Sequence, residues 1–155
     1  MAFENEVALY SMEKIQKTGV VPSKIWSGSW TVEEYQAVLG GKLPSMLRRP
    51  ENLVRVLVLS FIENATPLSH IKTPYLLPAV EAALFALRRL HRVGVVHGDP
   101  SADNVLMHGG EEQNLATWID FSSSIASASD ADIDFEWTKA IEYYSQRVYP
   151  FGARR

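Results

Sequence analysis

The chain has 155 residues, 46% of them hydrophobic and 21% charged, with a net charge of -3 and no cysteine. Length and composition point to a single globular domain with one hydrophobic core and exclude a disordered chain. The acidic balance argues against a nucleic-acid binder, and the lack of cysteine excludes disulfides and thiolate metal sites, as expected of a cytoplasmic protein.

The first residues, MAFENEVALY, lack the basic-then-apolar order of a signal peptide, and Arg55, Glu63, Glu81 and Arg88 interrupt the best apolar runs. No membrane span is expected. Residues 3–17 predict a helix with Phe3, Val7, Tyr10 and Ile15 on one stripe and Gly19 as its stop. Residues 20–30 are β-prone, with Val21, Ile25 and Trp26 among the large side chains. Thr31 followed by Glu34 is a capping-box pattern for a short helix that Gly40 and Gly41 end. Residues 53–62, LVRVLVLSFI, are apolar enough to predict a largely buried strand.

Residues 76–92 read as a strong helix, with Leu77, Val80, Leu84, Leu87 and His91 inward, Pro78 in the first turn and Gly94 past the end. Val95 and Val96 lead as a short strand into HGDPSADN. Residues 105–107 and 115–119 predict a hairpin. The small polar run SSSIASASDAD reads as flexible, and residues 133–148 as a last helix with Phe135, Thr138, Ile141 and Ser145 or Tyr144 inward. The order is α+β, without the alternation that builds a parallel sheet.

The chemistry concentrates in HGDPSADN and in WIDFSSS, which ends the hairpin. Asp99 sits in a tight loop after a strand, with Gly98 leaving its backbone clear, and suits the task of holding an accepting hydroxyl. Asn104 offers a neutral oxygen to a metal, and Asp120 a carboxylate at the end of a packed strand. Hard oxygen ligands around one point are what a magnesium-bound phosphoryl group requires.

In these residues the chain resembles the protein-kinase-like superfamily. HGDPSADN fits the catalytic-loop pattern His-x-Asp-x-x-x-x-Asn, and IDFS stands where that family has its metal-binding Asp-Phe-Gly. Gly98, at a position where protein kinases usually have arginine, looks more like aminoglycoside and choline phosphotransferases and the short kinase-like proteins of fungi. LVLSFIEN is similar to the strand and hinge behind adenine, the 76–92 helix to the one beneath the catalytic loop, and FENEVALY to the helix carrying the family glutamate. The resemblance implies one kinase-like domain over 1–155, with 1–62 a remnant of the N-lobe and hinge strand and 63–155 a minimal C-lobe. It implies ATP and Mg2+ as cofactors and a hydroxyl acceptor as partner, beside the absence of nucleic-acid and membrane partners expected from charge and apolar patterning. Asp99 would be the catalytic base, with Asn104 and Asp120 the magnesium ligands. The Ser60 to Ile62 backbone would meet adenine over Leu106, Glu6 would pair with a lysine, and His97 would be structural.

On the same match the chain starts at the glutamate helix and lacks the family's glycine-rich hairpin and lysine strand. Ser101 stands where protein kinases have a lysine, and no Ala-Pro-Glu signature follows Asp120. A second expectation is therefore a non-catalytic, pseudokinase-like module that binds nucleotide weakly or meets a protein partner at the open N-lobe edge. A metal-dependent hydrolase using His97, Asp99 and Asp120 is a third, disfavoured because catalytic zinc sites usually hold more histidine. Plainer readings make Glu6 a solvated helix residue, His91 and His108 packing or solvent features, and Trp26, Trp30, Trp118 and Trp137 members of the core or its edge. Lys42, Arg48 and Arg49 read as a solvated basic face.

Overall fold

The computed structural model describes residues 2–40, 53–109 and 114–149. The basic cluster at Lys42, Arg48 and Arg49 lies outside them. The architecture is α+β, and the chain divides into two compact units: Lys24–Ser60, and Met1–Ser23 with Phe61–Arg155. The N-terminal helices thus group with the second half of the chain, not with residues 24–60.

In the first unit, β1 (Lys24–Thr31) pairs antiparallel with β2 (Leu53–Leu59), Gly28 opposite Val56 and Thr31 opposite Leu53. Between them α3 (Val32–Leu39) starts at the expected capping box. The Thr31 hydroxyl accepts from the Glu34 N–H, and the Thr31 N–H donates to the Glu34 carboxylate at 2.7 Å. Gly40, at φ 61°, closes that helix in the left-handed region, where a side chain is strained. Residues 26, 28 and 30 share one face of β1, so Trp26 lies across Gly28 and stacks on Trp30 with centroids 5.5 Å apart. A Cβ on Gly28 would collide with the Trp26 indole.

The expectation of a largely buried β2 is corrected. No residue of β2 is fully buried, and Leu53 is 65% exposed. Ile25 and Trp26 of β1 are exposed as well. A two-stranded sheet offers each strand one neighbour, so an apolar run does not by itself become a core strand.

The other unit holds the core. Its helices are α1 (Ala2–Tyr10), α2 (Glu13–Gln16), α4 (Leu76–His91) and α5 (Asp130–Val148). Its sheet has the order β3-β4-β5, from Thr66–Pro67, Val105–His108 and Leu115–Trp118. The single helix expected over 3–17 is broken at Ser11 and Met12, and the turn lets both Tyr10 and Ile15 reach the core. The hairpin forms as expected, with Val105 opposite Trp118 and His108 opposite Leu115.

Helix α4 buries Leu76, Ala79, Val80, Ala83, Ala86, Leu87, Leu90 and His91. The stripe is turned from the expected one: Leu77 is largely exposed, and alanines take its place. Small residues let Trp118 lie against the helix, where its indole N–H donates to the Ala83 carbonyl at 3.2 Å. Burying side chains such as Leu87 and Leu90 stabilises the fold by about 1.5–3 kcal/mol each.

Helix α5 starts earlier than expected. The Ser129 hydroxyl accepts from the Asp132 N–H, and the Asp132 carboxylate accepts from the Ser129 N–H at 2.9 Å. Its inner residues are Glu136, Ala140 and Tyr144, whereas Phe135 and Ile141 face outward. The small polar run before it is tied down, since Ile125 bridges Val96 in both directions. No helix among the described residues is long and apolar enough to cross a membrane.

Candidate active site

The loop from His97 to Asn104 is built from behind. The His97 ring is fully buried between Trp118 and Phe121, with centroids 4.8 and 4.5 Å away. Its Nε2–H donates to the Ile119 carbonyl at 2.9 Å, and its Nδ1 accepts from the Asp99 N–H at 3.4 Å. Burial holds the imidazole below its ordinary range, so the ring is neutral, with its proton on Nε2. The structural role expected of His97 agrees with this geometry.

Gly98 stands at φ 87° against the Ser123 backbone, and a Cβ there would strike the Ser123 carbonyl. Only glycine lets the loop and the segment after Phe121 pass so closely. The loop then turns through a bond from the Ser101 N–H to the Asp99 carbonyl at 2.8 Å and a short 3-10 turn, Ala102–Asn104. The turn aims Asn104 back at Asp99. Its amide donates to the Asp99 carboxylate at 2.9 Å and to the Asp99 carbonyl at 3.1 Å.

The hairpin brings Asp120 to the same place. The Asn104 carbonyl accepts from the Ile119 N–H at 2.9 Å, extending the β4-β5 pairing by one step and setting Asn104 beside the residue that precedes Asp120. Asp120 itself is in the left-handed region at φ 61°, and its carboxylate accepts from the Ser122 N–H at 3.3 Å. A non-glycine residue held there costs about 1–3 kcal/mol and commonly marks a functional position.

Two glutamates flank this arrangement. Glu136 is 4% exposed. Its carboxylate accepts from the Gly98 N–H at 2.6 Å, the His97 N–H at 3.0 Å and the His91 Nε2–H at 2.7 Å. Burial pushes its carboxyl upward, but the His91 and backbone donors outweigh this and hold it below the ordinary range. Farther along α5, the Tyr143 hydroxyl accepts from the Ala102 N–H at 3.4 Å. Glu136 was not legible as a site residue, because an acid in a surface-type helix reads as solvated. Its one signal is its place on a stripe with Ala140 and Tyr144. His91 is buried on the inner face of α4, as expected of a packing residue, and also donates to Glu136.

Glu6 lies on the other side. Asn5 docks α1 onto the segment after Asp120, donating to the Ser124 carbonyl at 2.9 Å, the Phe121 carbonyl at 3.3 Å and the Ser122 carbonyl at 3.4 Å. Tyr10 meets the Phe121 ring edge-on at 5.3 Å. Glu6, between these two contacts along α1, is half-buried. Burial and the nearby Asp120 charge push its carboxyl above the ordinary range, and the Phe121 N–H offsets part of the rise.

Asn104 therefore holds Asp99 by its side chain and sits by its backbone beside Ile119, the residue before Asp120, and Glu6 feels the charge of Asp120. Leu106 lies along β4, opposite Pro67 and Thr117. Ser60 ends the 24–60 unit, and Ile62 belongs to the other. A cavity of about 450 Å³ opens beside Asp99, walled by Pro100, Ser101, Lys139, Glu142 and Tyr143. Among the described residues, no lysine or arginine pairs with Asp99, Asp120 or Glu6, and no group of three or more histidine, aspartate or glutamate side chains is arranged to hold a metal. No protein-family model matches the chain, and no curated protein matches it.

Proposed function

We propose that the chain is a phosphotransferase of the protein-kinase-like superfamily, dependent on ATP and Mg2+, that acts on a hydroxyl acceptor. The observation that supports this reading is that Asn104 hydrogen-bonds Asp99 and pairs by its backbone with Ile119, the residue before Asp120. Asn104 and Asp120 supply hard oxygen donors suited to magnesium, which would neutralise charge on the transferred group. Asp99 accepts the hydrogen bond of the acceptor hydroxyl at the mouth of the adjoining cavity and takes its proton as the oxygen–phosphorus bond forms and the bond to the nucleotide diphosphate breaks. Leu106 would underlie the adenine.

The test is magnesium-dependent nucleotide binding by the purified chain. Binding lost in Asp120→Ala, with phosphoryl transfer lost in Asp99→Asn, is the expected result. Binding that Asp120→Ala leaves unchanged rejects the reading.

The second reading, a nucleotide-binding module without transfer activity, is favoured by a specific observation. No cationic side chain among the described residues pairs with the three site residues, although phosphoryl transfer needs charge neutralised around it. ATP turnover that Asp99→Asn abolishes would eliminate it.

A further inference from the structure

The 24–60 unit contains none of Asp99, Asn104 and Asp120, and its strand β1 plays no part in the proposed reaction. That strand contains Trp26-Ser27-Gly28-Ser29-Trp30, which reads the same in both directions about Gly28. Among the described residues, β1 pairs by its backbone with β2 alone, so its outer edge has no neighbouring strand. Ile25 is 67% exposed and Trp26 40% exposed. An isolated two-stranded sheet is marginal in water, and an edge strand without charge or proline is a template for another strand. Residues 25–31 contain neither.

A strand that reads alike in both directions matches a second copy of itself when the two run antiparallel about a twofold axis. With the axis at Gly28, Trp26 stands opposite Trp30 of the second copy, Ser27 opposite its Ser29, and the two Gly28 residues face each other. The side chains are already arranged for this. Trp26 and Trp30 lie on one face of β1, stacked 5.5 Å apart with their planes 26° from parallel, over a glycine whose Cβ would strike the Trp26 indole. The twofold keeps that face common to both copies, so four indoles make one apolar surface and the serines line the other. The ends match in charge as well. Lys24 precedes the palindrome and the exposed Glu33 follows it, so antiparallel pairing brings a lysine alongside a glutamate at each end. Strand β2 lacks this match, because the same operation about Val56 sets Arg55 against Leu57.

We propose that the outer edge of β1, residues 26–30, binds a second copy of this chain, antiparallel about Gly28, to complete the four-stranded sheet β2-β1-β1-β2. The interface is isologous, so every contact is made twice. Pairing gives partners to the backbone groups that point away from β2, and the two Trp26–Trp30 cross-strand pairs supply aromatic contact at its centre. An unrelated strand would find the same backbone groups but not the matched order of indole, serine and glycine. The surface belongs to the 24–60 unit and stands or falls apart from the phosphotransferase reading.

The experiment is analytical ultracentrifugation of the full chain across the micromolar range, where the wild type is expected to be a dimer. Ser27→Glu with Ser29→Glu sets like charges opposite each other at two places and should weaken the dimer by about tenfold or more. Ser27→Lys with Ser29→Glu sets opposite charges at the same places and should keep the dimer, a contrast that a parallel in-register pairing would not give. Circular dichroism checks that each variant folds. Because the chain has no cysteine, a second measurement is available. A mixture of Ser27→Cys and Ser29→Cys chains should cross-link on mild oxidation, whereas neither alone should, since identical positions stand too far apart for a disulfide. The proposal is overturned by a wild type that stays monomeric, or by a dimer that the two glutamates leave intact. It is overturned equally if the lysine–glutamate variant dissociates as readily as the two-glutamate one. Should the charged variants misfold, the cysteine mixture decides, and its failure to cross-link rejects the pairing.

Discussion

Glu136, held by the His97–Gly98 loop, and Glu6, near the end of the hairpin, are shifted by their surroundings in opposite directions. Three N–H donors converge on Glu136, so its charge is stabilised although it is buried. Glu6 is partly desolvated and feels the charge of Asp120, so its charge is disfavoured. A buried acid surrounded by donors acts as an anchor, whereas desolvation and a like charge nearby favour the neutral form of the other. The same residue type thus serves two purposes, and the neighbours decide which.

The largest effect is expected at the anchor. Glu136→Ala leaves two loop N–H groups and the His91 donor unpaired, and should cost about 3–5 kcal/mol in denaturant unfolding. The sign of its pH dependence follows from the direction of the shift. Because the folded carboxyl is held below its unfolded value of 4.5, its stabilisation is present above that pH and is lost as the pH falls through the folded value. Acid titration of stability should therefore lose a component in Glu136→Gln. If wild type and variant lose stability in parallel below pH 4.5, Glu136 is no anchor.

Gly98→Ala should be next, at about 2–4 kcal/mol, from a Cβ driven into the Ser123 carbonyl at positive φ. Thermal melting measures it, and a melt unchanged from wild type would mean that the loop and the Ser123 segment can separate freely. Asn5→Ala removes the bonds that dock α1 onto residues 121–124 and should cost about 1–2 kcal/mol. Its fluorescence-monitored unfolding should show a loss smaller than that of Glu136→Ala. The smallest change has the opposite sign. At neutral pH, Glu6→Gln relieves a repulsion with Asp120 that solvent largely screens, and should raise stability by no more than about 0.5 kcal/mol. A loss there would contradict the contrast between the two glutamates.

Much of the local structure could be read in advance because it rests on short-range chemistry. The Thr31–Glu34 capping box, the glycine at the end of α3, the long helix before the loop and the antiparallel hairpin after it all depend on neighbouring residues. So does the spacing that places Asp99 and Asn104 in one loop. The inner faces of α4 and α5 were less legible, since periodicity gives the helix but not the angle at which partners meet it. Trp118 selects the alanine side of α4, and the loop amides draw Glu136 inward on α5. Apolar content alone misjudged β2, because burial requires neighbours that a two-stranded sheet does not supply.

By itself, the sequence determined the helix caps, the hairpin and the chemical identity of the groups at its end, which are fixed by residue type over a few positions. Tertiary structure decided which acids anchor and which are exposed to like charge. The environment of Glu6 depends on Phe121, and that of Glu136 on His91, His97 and Gly98, across stretches of chain that only folding brings together. Desolvation and hydrogen bonding act through space, so no reading along the chain can assign them.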